Sequence, residues 1–133
     1  MSSRLEDLEP ITRSLCYRFL SAATAAGHAI RVTHTLRTMD EQAHLFAKGR
    51  TLPGHVVTMA GPGSSPHNWG AAFDICFAGD DPFGESHPWE AVGLLGEGVG
   101  LTWGGRFHSM KDRPHFERKD WRTLRSSAQG GSA

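Results

Sequence analysis

The fold depends most on the stretch Ser65-Pro66-His67-Asn68-Trp69-Gly70-Ala71-Ala72-Phe73-Asp74-Ile75-Cys76-Phe77, in which a proline turn leads into a short apolar run. Residues 71–77 are apolar except at Asp74, and this pattern predicts a buried strand that carries one charge. An unpaired buried carboxylate loses several kcal/mol of solvation unless a cation or hydrogen-bond donors compensate. We therefore expect Asp74 either to lie at an exposed strand end or to face a cation.

Upstream of this stretch, the hydrophobic pattern predicts a helix, a strand and a second helix. Apolar residues recur at three- and four-residue steps at Leu5, Leu8, Ile11, Leu15, Phe19 and Ala22. Their spacing predicts a helix from Leu5 to Ala26. Apolar and polar residues alternate within residues 29–37, which is typical of a strand. Thr38 and Glu41 fit a capping box for a helix that runs to Gly49.

Downstream, glycine and proline divide the chain into short elements. Residues 50–66 are rich in both and predict a long surface loop, with a short extended piece at residues 55–59. Pro88 fits the first turn of another helix. Residues 101–103 and 115–117 both fit strands. Residues 126–133 are small, polar and glycine-rich, so we expect a flexible C-terminal tail after a single domain over residues 1–125.

Composition excludes several classes of protein. The chain has 133 residues, enough for one domain, and its 38% hydrophobic and 21% charged residues are ordinary for a globular protein. Fourteen basic and fourteen acidic residues cancel, so no basic field favours nucleic-acid binding. Cys16 and Cys76 lack C-x-x-C spacing and are interpreted as small buried residues.

The sequence shows no membrane-targeting pattern. Residues 1–7 lack the apolar core of a signal peptide, and no stretch reaches the roughly 18 apolar residues of a spanning helix. We therefore expect cytoplasmic synthesis, no integral membrane segment and, for any work outside the membrane, a separate export partner such as a holin. The absence of a heptad pattern or long apolar patch favours a monomer.

Two histidines could be the partners that Asp74 needs. His67 lies in the stretch quoted above, and His115 ends a second motif, Asp112-Arg113-Pro114-His115. His67 alone fits a hydrogen-bonded loop histidine, and His115 alone fits an edge-strand residue. Together with Asp74, however, they make a three-ligand set that leaves one zinc coordination position open. Asp112 adds a carboxylate three residues before His115, although an aspartate before proline also fits a plain turn. The combination indicates a metal hydrolase.

The same residues carry a resemblance to a known family. The chain resembles the zinc peptidases of the D-alanyl-D-alanine carboxypeptidase and L-alanyl-D-glutamate endopeptidase group, peptidase M15, which includes bacteriophage endolysins. The family pattern S-x-H-x-x-G-x-A-x-D is matched at Ser65, His67, Gly70, Ala72 and Asp74. Further agreement lies at residues 36–38, 41–42, 49–51, 53–54 and 103–105, so the resemblance covers roughly residues 30–117.

The resemblance implies a role for each of these positions. Zinc would be held by His67, Asp74 and His115. Asp112 would act as the catalytic base, taking a proton from water that zinc has acidified and delivering it to the leaving amine.

Three further residues would contact the substrate. Arg37 would face it with a guanidinium that can pair with a carboxylate, although a solvated charge at a strand end is the alternative. Ser65 would offer a hydroxyl, or be a plain loop serine. Trp103 would wall the peptide cleft, or be a corner of the core. His34-Thr35 departs from the Ser-Gly that many relatives have before this arginine.

The fold and function follow from the resemblance. We expect an α+β fold in which a small antiparallel sheet carries the zinc site on one face and packs on the other against the N-terminal helix and two shorter helices. The expected activity is zinc-dependent hydrolysis of the L-alanyl-D-glutamate bond in the peptidoglycan stem peptide, as in an endolysin. A D-alanyl-D-alanine carboxypeptidase is the alternative within this class. A zinc-bearing binding module without activity, or a domain without metal, are the alternatives outside it.

Overall fold

A four-stranded antiparallel sheet with the strand order β1-β2-β4-β3 organises the chain. This computed structural model describes residues 1–130. The strands are β1 (Ile30–His34), β2 (Ala72–Phe77), β3 (Leu101–Trp103) and β4 (His115–Arg118). The α-helices are α1 (Pro10–Ala25), α2 (Met39–Ala47), α3 (Trp89–Gly98) and α4 (Trp121–Gly130). These elements confirm the α+β class and the small antiparallel sheet.

One face of the sheet is apolar and packs against helices. Side chains alternate along β2, so Phe73, Ile75 and Phe77 enter the core while Asp74 lies on the opposite face. The ring of Phe19, on α1, lies 5.8 Å from the Phe73 ring and 4.6 Å from the Phe116 ring. Fully burying each such ring stabilises the fold by about 1.5–3 kcal/mol. The apolar layer thus leaves the other face of β2 and β4 for polar groups.

Helix α3 packs on the same apolar face and depends on a glycine. A Cβ atom added at Gly96 would lie 2.3 Å from the Phe116 ring, so only glycine lets the helix backbone approach the sheet this closely. Val92, also on α3, is completely buried. This contact fixes the position of β4, the strand that carries His115.

A β-bulge interrupts the pairing of β1 with β2. Val32 pairs with Ile75 and His34 pairs with Asp74, so two steps along β1 correspond to one step along β2. A bulge of this kind redirects the side chains that follow it. As a consequence, His34 lies opposite Asp74 on the polar face.

Two sequence predictions about helices need correction. The helix predicted from Leu5 to Ala26 is divided into a 3₁₀ turn at Leu5–Asp7 and α1, because Pro10 starts a new helix that the Glu9 side chain caps. Residues 126–130 of the tail predicted over residues 126–133 are helical, because α4 continues to Gly130; residues 131–133 lie outside the described part of the chain. Residues 55–59, predicted to be extended, form no strand.

Helix α4 is anchored at its first residue. Trp121 is 2% exposed, and the guanidinium groups of Arg122 and Arg125 lie over its ring.

Among residues 1–130, no helix combines the length and the apolar character needed to cross a bilayer.

Candidate metal centre

Three side chains from separate elements meet on the polar face of the sheet. His67 belongs to a 3₁₀ turn at Pro66–Trp69, Asp74 to β2 and His115 to β4. Antiparallel pairing places His115 directly opposite Asp74. One ligand atom from each of the three lies within 4.8 Å of the other two. The residues that the sequence predicted as metal ligands are therefore together.

The neighbours of His67 determine which ring nitrogen is free. Its Nδ1 lies 2.7 Å from the carbonyl oxygen of Thr35. A carbonyl can only accept a hydrogen bond, so Nδ1 carries a proton and Nε2 is the nitrogen that can give its lone pair to a cation. Nε2 is the atom that faces Asp74, at 3.3 Å from Oδ1. His67 is therefore arranged to offer Nε2 to a cation.

Carboxylates flank both ring nitrogens of His115. Nδ1 lies 3.1 Å from Asp74 Oδ1, and Nε2 lies 2.8 Å from Glu117 Oε1. Burial lowers the pKa of His115, but the hydrogen bonds to Asp74 and Glu117 outweigh it and raise the pKa to about 10. Burial likewise raises the pKa of Asp74, yet hydrogen bonds from His115 and His67 bring it below its usual value. Without a cation, positive charge on His115 therefore compensates Asp74.

This donor set fits a divalent cation. Two imidazole nitrogens and one carboxylate oxygen are typical zinc ligands, and a catalytic zinc site keeps a further position open. A cation among these atoms would compensate the buried Asp74 carboxylate directly, in place of the proton on His115 Nδ1. His34 lies beside the set, with Nδ1 3.5 Å from Asp74 Oδ2.

A cavity of about 750 Å³ opens over the cluster, and Arg37 is part of its wall. The Arg37 guanidinium donates to Gln42 Oε1 at 2.9 Å, and Gln42 in turn donates to the carbonyl of Ala60 at 2.7 Å. Burial lowers the pKa of Arg37, while Asp74, Glu41 and Asp112 raise it. Arg37 thus presents a positioned cation to the cavity.

Asp112 lines the same cavity, and a tight turn fixes its backbone. The Asp112 carbonyl accepts from the His115 amide at 3.1 Å, and its own amide donates to Gly104 at 3.0 Å. A Cβ atom at Gly104 would lie 2.3 Å from the Asp112 carbonyl oxygen, so the turn needs glycine there. Partial desolvation, with repulsion from Asp74, raises the pKa of Asp112, although His115, His67 and Arg37 oppose this.

Ser65 and Trp103, the other two predicted substrate contacts, differ in position. Ser65 lines the cavity, but its hydroxyl oxygen already accepts from the His67 amide and helps to hold that turn. Trp103 is 2% exposed and donates to the carbonyl of Arg113, facing a separate cavity of about 730 Å³. This placement favours the interpretation of Trp103 as a corner of the core.

Sequence reasoning missed three polar residues around the cluster. Glu117 binds His115, His34 approaches Asp74, and Gln42 holds Arg37. A signal existed for Glu117, since residues two apart on a strand share a face. The departure at His34-Thr35 also marked this region, and Gln42 belongs to the family agreement at residues 41–42, although its contact with Arg37 was not predicted.

Comparison with known proteins identifies the family. A sequence profile described as D-alanyl-D-alanine carboxypeptidase, peptidase M15, matches residues 59–118. A second profile with the same description matches residues 6–88, which is more than half of the chain. The chain belongs to the D-alanyl-D-alanine carboxypeptidase family. Membership of this family confirms the resemblance seen in the sequence.

One relative shares substantial identity with this chain. Peptidoglycan L-alanyl-D-glutamate endopeptidase CwlK from Bacillus subtilis (strain 168) is 32% identical, and the match covers 84% of this chain and 73% of CwlK. Identity at this level over most of the chain supports the same family assignment independently of the profiles.

Solved structures show the same fold at lower identity. The LdcB LD-carboxypeptidase has a TM-score of 0.68 at 18% identity. The match covers 91% of this chain and 64% of LdcB, so this chain spans less than two thirds of the length of LdcB. A variant of the vancomycin resistance D,D-pentapeptidase VanY, in complex with Zn(II), has a TM-score of 0.65 at 16% identity, with 93% and 79% covered. These likenesses confirm the fold.

Proposed function

We propose that this protein is a zinc-dependent peptidoglycan endopeptidase that hydrolyses the L-alanyl-D-glutamate bond of the stem peptide. The observation that carries the proposal is the convergence of His67, Asp74 and His115 under a cavity that Asp112 and Arg37 also line. Identity to CwlK supports the choice of bond, and the fold shared with a zinc-bound VanY supports zinc.

The protein's own residues divide the work in this proposal. Arg37 pairs with a substrate carboxylate and orients the peptide, because a guanidinium binds carboxylate oxygens in a fixed geometry. In the stem peptide D-glutamate is linked through its side chain, so its α-carboxylate is free beside the scissile bond. Asp112 takes a proton from the attacking water and passes it to the leaving amine. Zinc, when bound, supplies the Lewis acidity that makes water reactive near neutral pH.

The substrate determines where the protein would act. Peptidoglycan lies outside the cytoplasmic membrane, so an endolysin-like protein made in the cytoplasm would reach it through a separate export or holin partner. We propose that the protein acts there as a monomer, since its sequence has no heptad pattern or long apolar patch that predicts association.

A D-alanyl-D-alanine carboxypeptidase is the second candidate. The family profile carries that description, and Arg37 would suit the terminal carboxylate of D-Ala-D-Ala equally well. A binding module without activity is the third candidate, but a base beside the metal would have no use in it.

The test is digestion of purified peptidoglycan with and without a metal chelator, followed by identification of the new termini. The proposal predicts new N-terminal D-glutamate in the absence of chelator and none in its presence. Release of free D-alanine would favour the carboxypeptidase. No new termini from zinc-loaded protein would favour the binding module.

A further inference from the structure

Glu117 is a nearly buried carboxylate directly behind the metal cluster. It lies two residues after His115 on β4, and its side chain is 12% exposed. Its Oε1 is 2.8 Å from His115 Nε2, on the side of the ring away from Asp74. Glu117 is not itself one of the clustered ligand residues.

The partners of Glu117 make a purely structural role unfavourable. Burying a carboxylate is costly unless a positive group or hydrogen-bond donors compensate. Within residues 1–130, the ion pair recorded for Glu117 is with His115, and no lysine or arginine pairs with it. The neighbouring Arg118 instead pairs with Glu9 and Asp120. The one interaction that offsets the burial of Glu117 is therefore with a candidate metal ligand.

The hydrogen bond also selects the nitrogen that His115 can offer. A carboxylate that accepts from Nε2–H keeps the proton on Nε2 and leaves the Nδ1 lone pair available. Nδ1 is the nitrogen that faces Asp74. The negative charge makes the ring a stronger donor to a cation and holds its orientation.

The two histidines of the cluster differ in this respect. His67 is held by a neutral partner, the Thr35 carbonyl, whereas His115 is held by a charged one. A backbone carbonyl fixes the tautomer but adds no charge. The stronger electrostatic contribution to the site should therefore come through His115.

We propose that Glu117 is a positioning residue that fixes the tautomer and orientation of His115 and strengthens its binding of a divalent cation. The inference rests on the proposed function only in that this cluster binds zinc. Carboxylates behind metal-bound histidines typically contribute about 10–100-fold to metal affinity. Glu117 also lines the cavity over the cluster, and in this proposal it acts through His115.

The test measures zinc affinity by competition with a chromophoric chelator, which needs no substrate. Glu117→Ala should weaken zinc binding by about 10–100-fold. Glu117→Gln should weaken it less, because an amide oxygen still accepts from Nε2–H but lacks the charge.

Glu6→Gln is the matched control, because Glu6 is an exposed glutamate that pairs with Arg4 and lies outside the cluster. It should leave zinc affinity unchanged. Unfolding of each metal-free variant, followed by circular dichroism, shows whether the fold is kept. If Glu117→Ala does not fold, the nearly isosteric Glu117→Gln decides the question, with weakened zinc binding expected.

The outcomes separate the two proposals. Wild-type affinity in folded Glu117 variants would overturn the role of Glu117 while leaving the proposed function intact. Failure of the unaltered protein to bind zinc would overturn both. Loss of stability in metal-free variants that bind zinc as tightly as the wild type would show that Glu117 is merely structural.

Discussion

Replacing Asp112 by asparagine removes the proposed base while keeping the shape of the side chain. Asp112 lines the cavity with Arg37 and the cluster, but it contributes no atom to the three-ligand set. Its backbone, which fixes the turn before His115, is unchanged by the substitution. We therefore expect Asp112→Asn to fold, to bind zinc and to lose turnover.

The size of the loss follows from the exposure of the side chain. A positioned acid or base contributes about 10²–10⁴-fold to rate, equivalent to about 2.7–5.4 kcal/mol of activation free energy. Asp112 is exposed to the solvent in the cavity, so a water molecule can take over part of its proton transfer. We expect kcat to fall by about 10²–10³-fold, the lower half of that range. Zinc affinity should change by less than about tenfold, because the lost charge is outside the ligand set and screened.

The assay is the release of new amino termini from purified peptidoglycan, with zinc content measured on the same preparation. Asp80→Asn is the control, because Asp80 is an exposed aspartate in the loop after β2. It should keep full activity. Wild-type turnover in zinc-loaded Asp112→Asn would remove Asp112 from the mechanism. Loss of zinc together with loss of turnover would instead show that Asp112 helps to hold the metal.

Three further predictions test the site and the fold. Gly104→Ala should destabilise the protein by about 1–3 kcal/mol in denaturant unfolding and reduce turnover, since the added Cβ would lie 2.3 Å from the Asp112 carbonyl oxygen. An unchanged unfolding curve would contradict this close contact. Arg37→Lys should raise KM by about 10–100-fold at constant zinc content, because lysine cannot reproduce the guanidinium geometry; unchanged KM would remove Arg37 from substrate binding. Cys16 and Cys76 should resist thiol reagents at neutral pH until the protein unfolds, because both thiols are buried and burial raises the pKa of Cys16 to about 12. Rapid labelling of the native protein would contradict the packing of α1 on the sheet.

The three-residue cluster could be predicted because Asp74 is a charged residue within an apolar run, which is unusual. One charge in an apolar run required a partner, and the two histidine motifs supplied it. The pairing that sets His115 opposite Asp74 depends on antiparallel register between segments 41 residues apart, which the residues alone do not specify. The family resemblance supplied the antiparallel sheet and the ligand set, and the structure confirmed the fold and showed the register.

The sequence did not predict three other features: helix α4, the β-bulge near His34 and the contact between Glu117 and His115. Helix α4 was missed because residues 126–130 are mostly small and polar, although Trp121, Leu124 and Ala128 recur at helical spacing. The bulge that brings His34 to Asp74 arises from the pairing of two strands, so neither strand alone reveals it. Glu117 shares a face with His115, yet only the structure shows that it reaches Nε2.

Zinc stoichiometry of the purified protein shows whether His67, Asp74 and His115 bind a metal. After equilibration with zinc and removal of the free ion, we expect one zinc per chain in the unaltered protein. Single alanine substitutions at His67, Asp74 and His115, the three clustered residues, should each abolish tight binding, while His108→Ala, at an exposed histidine outside the cluster, should keep it. If the unaltered protein retains no zinc, or if each of the three variants still binds it tightly, these residues do not form a zinc site.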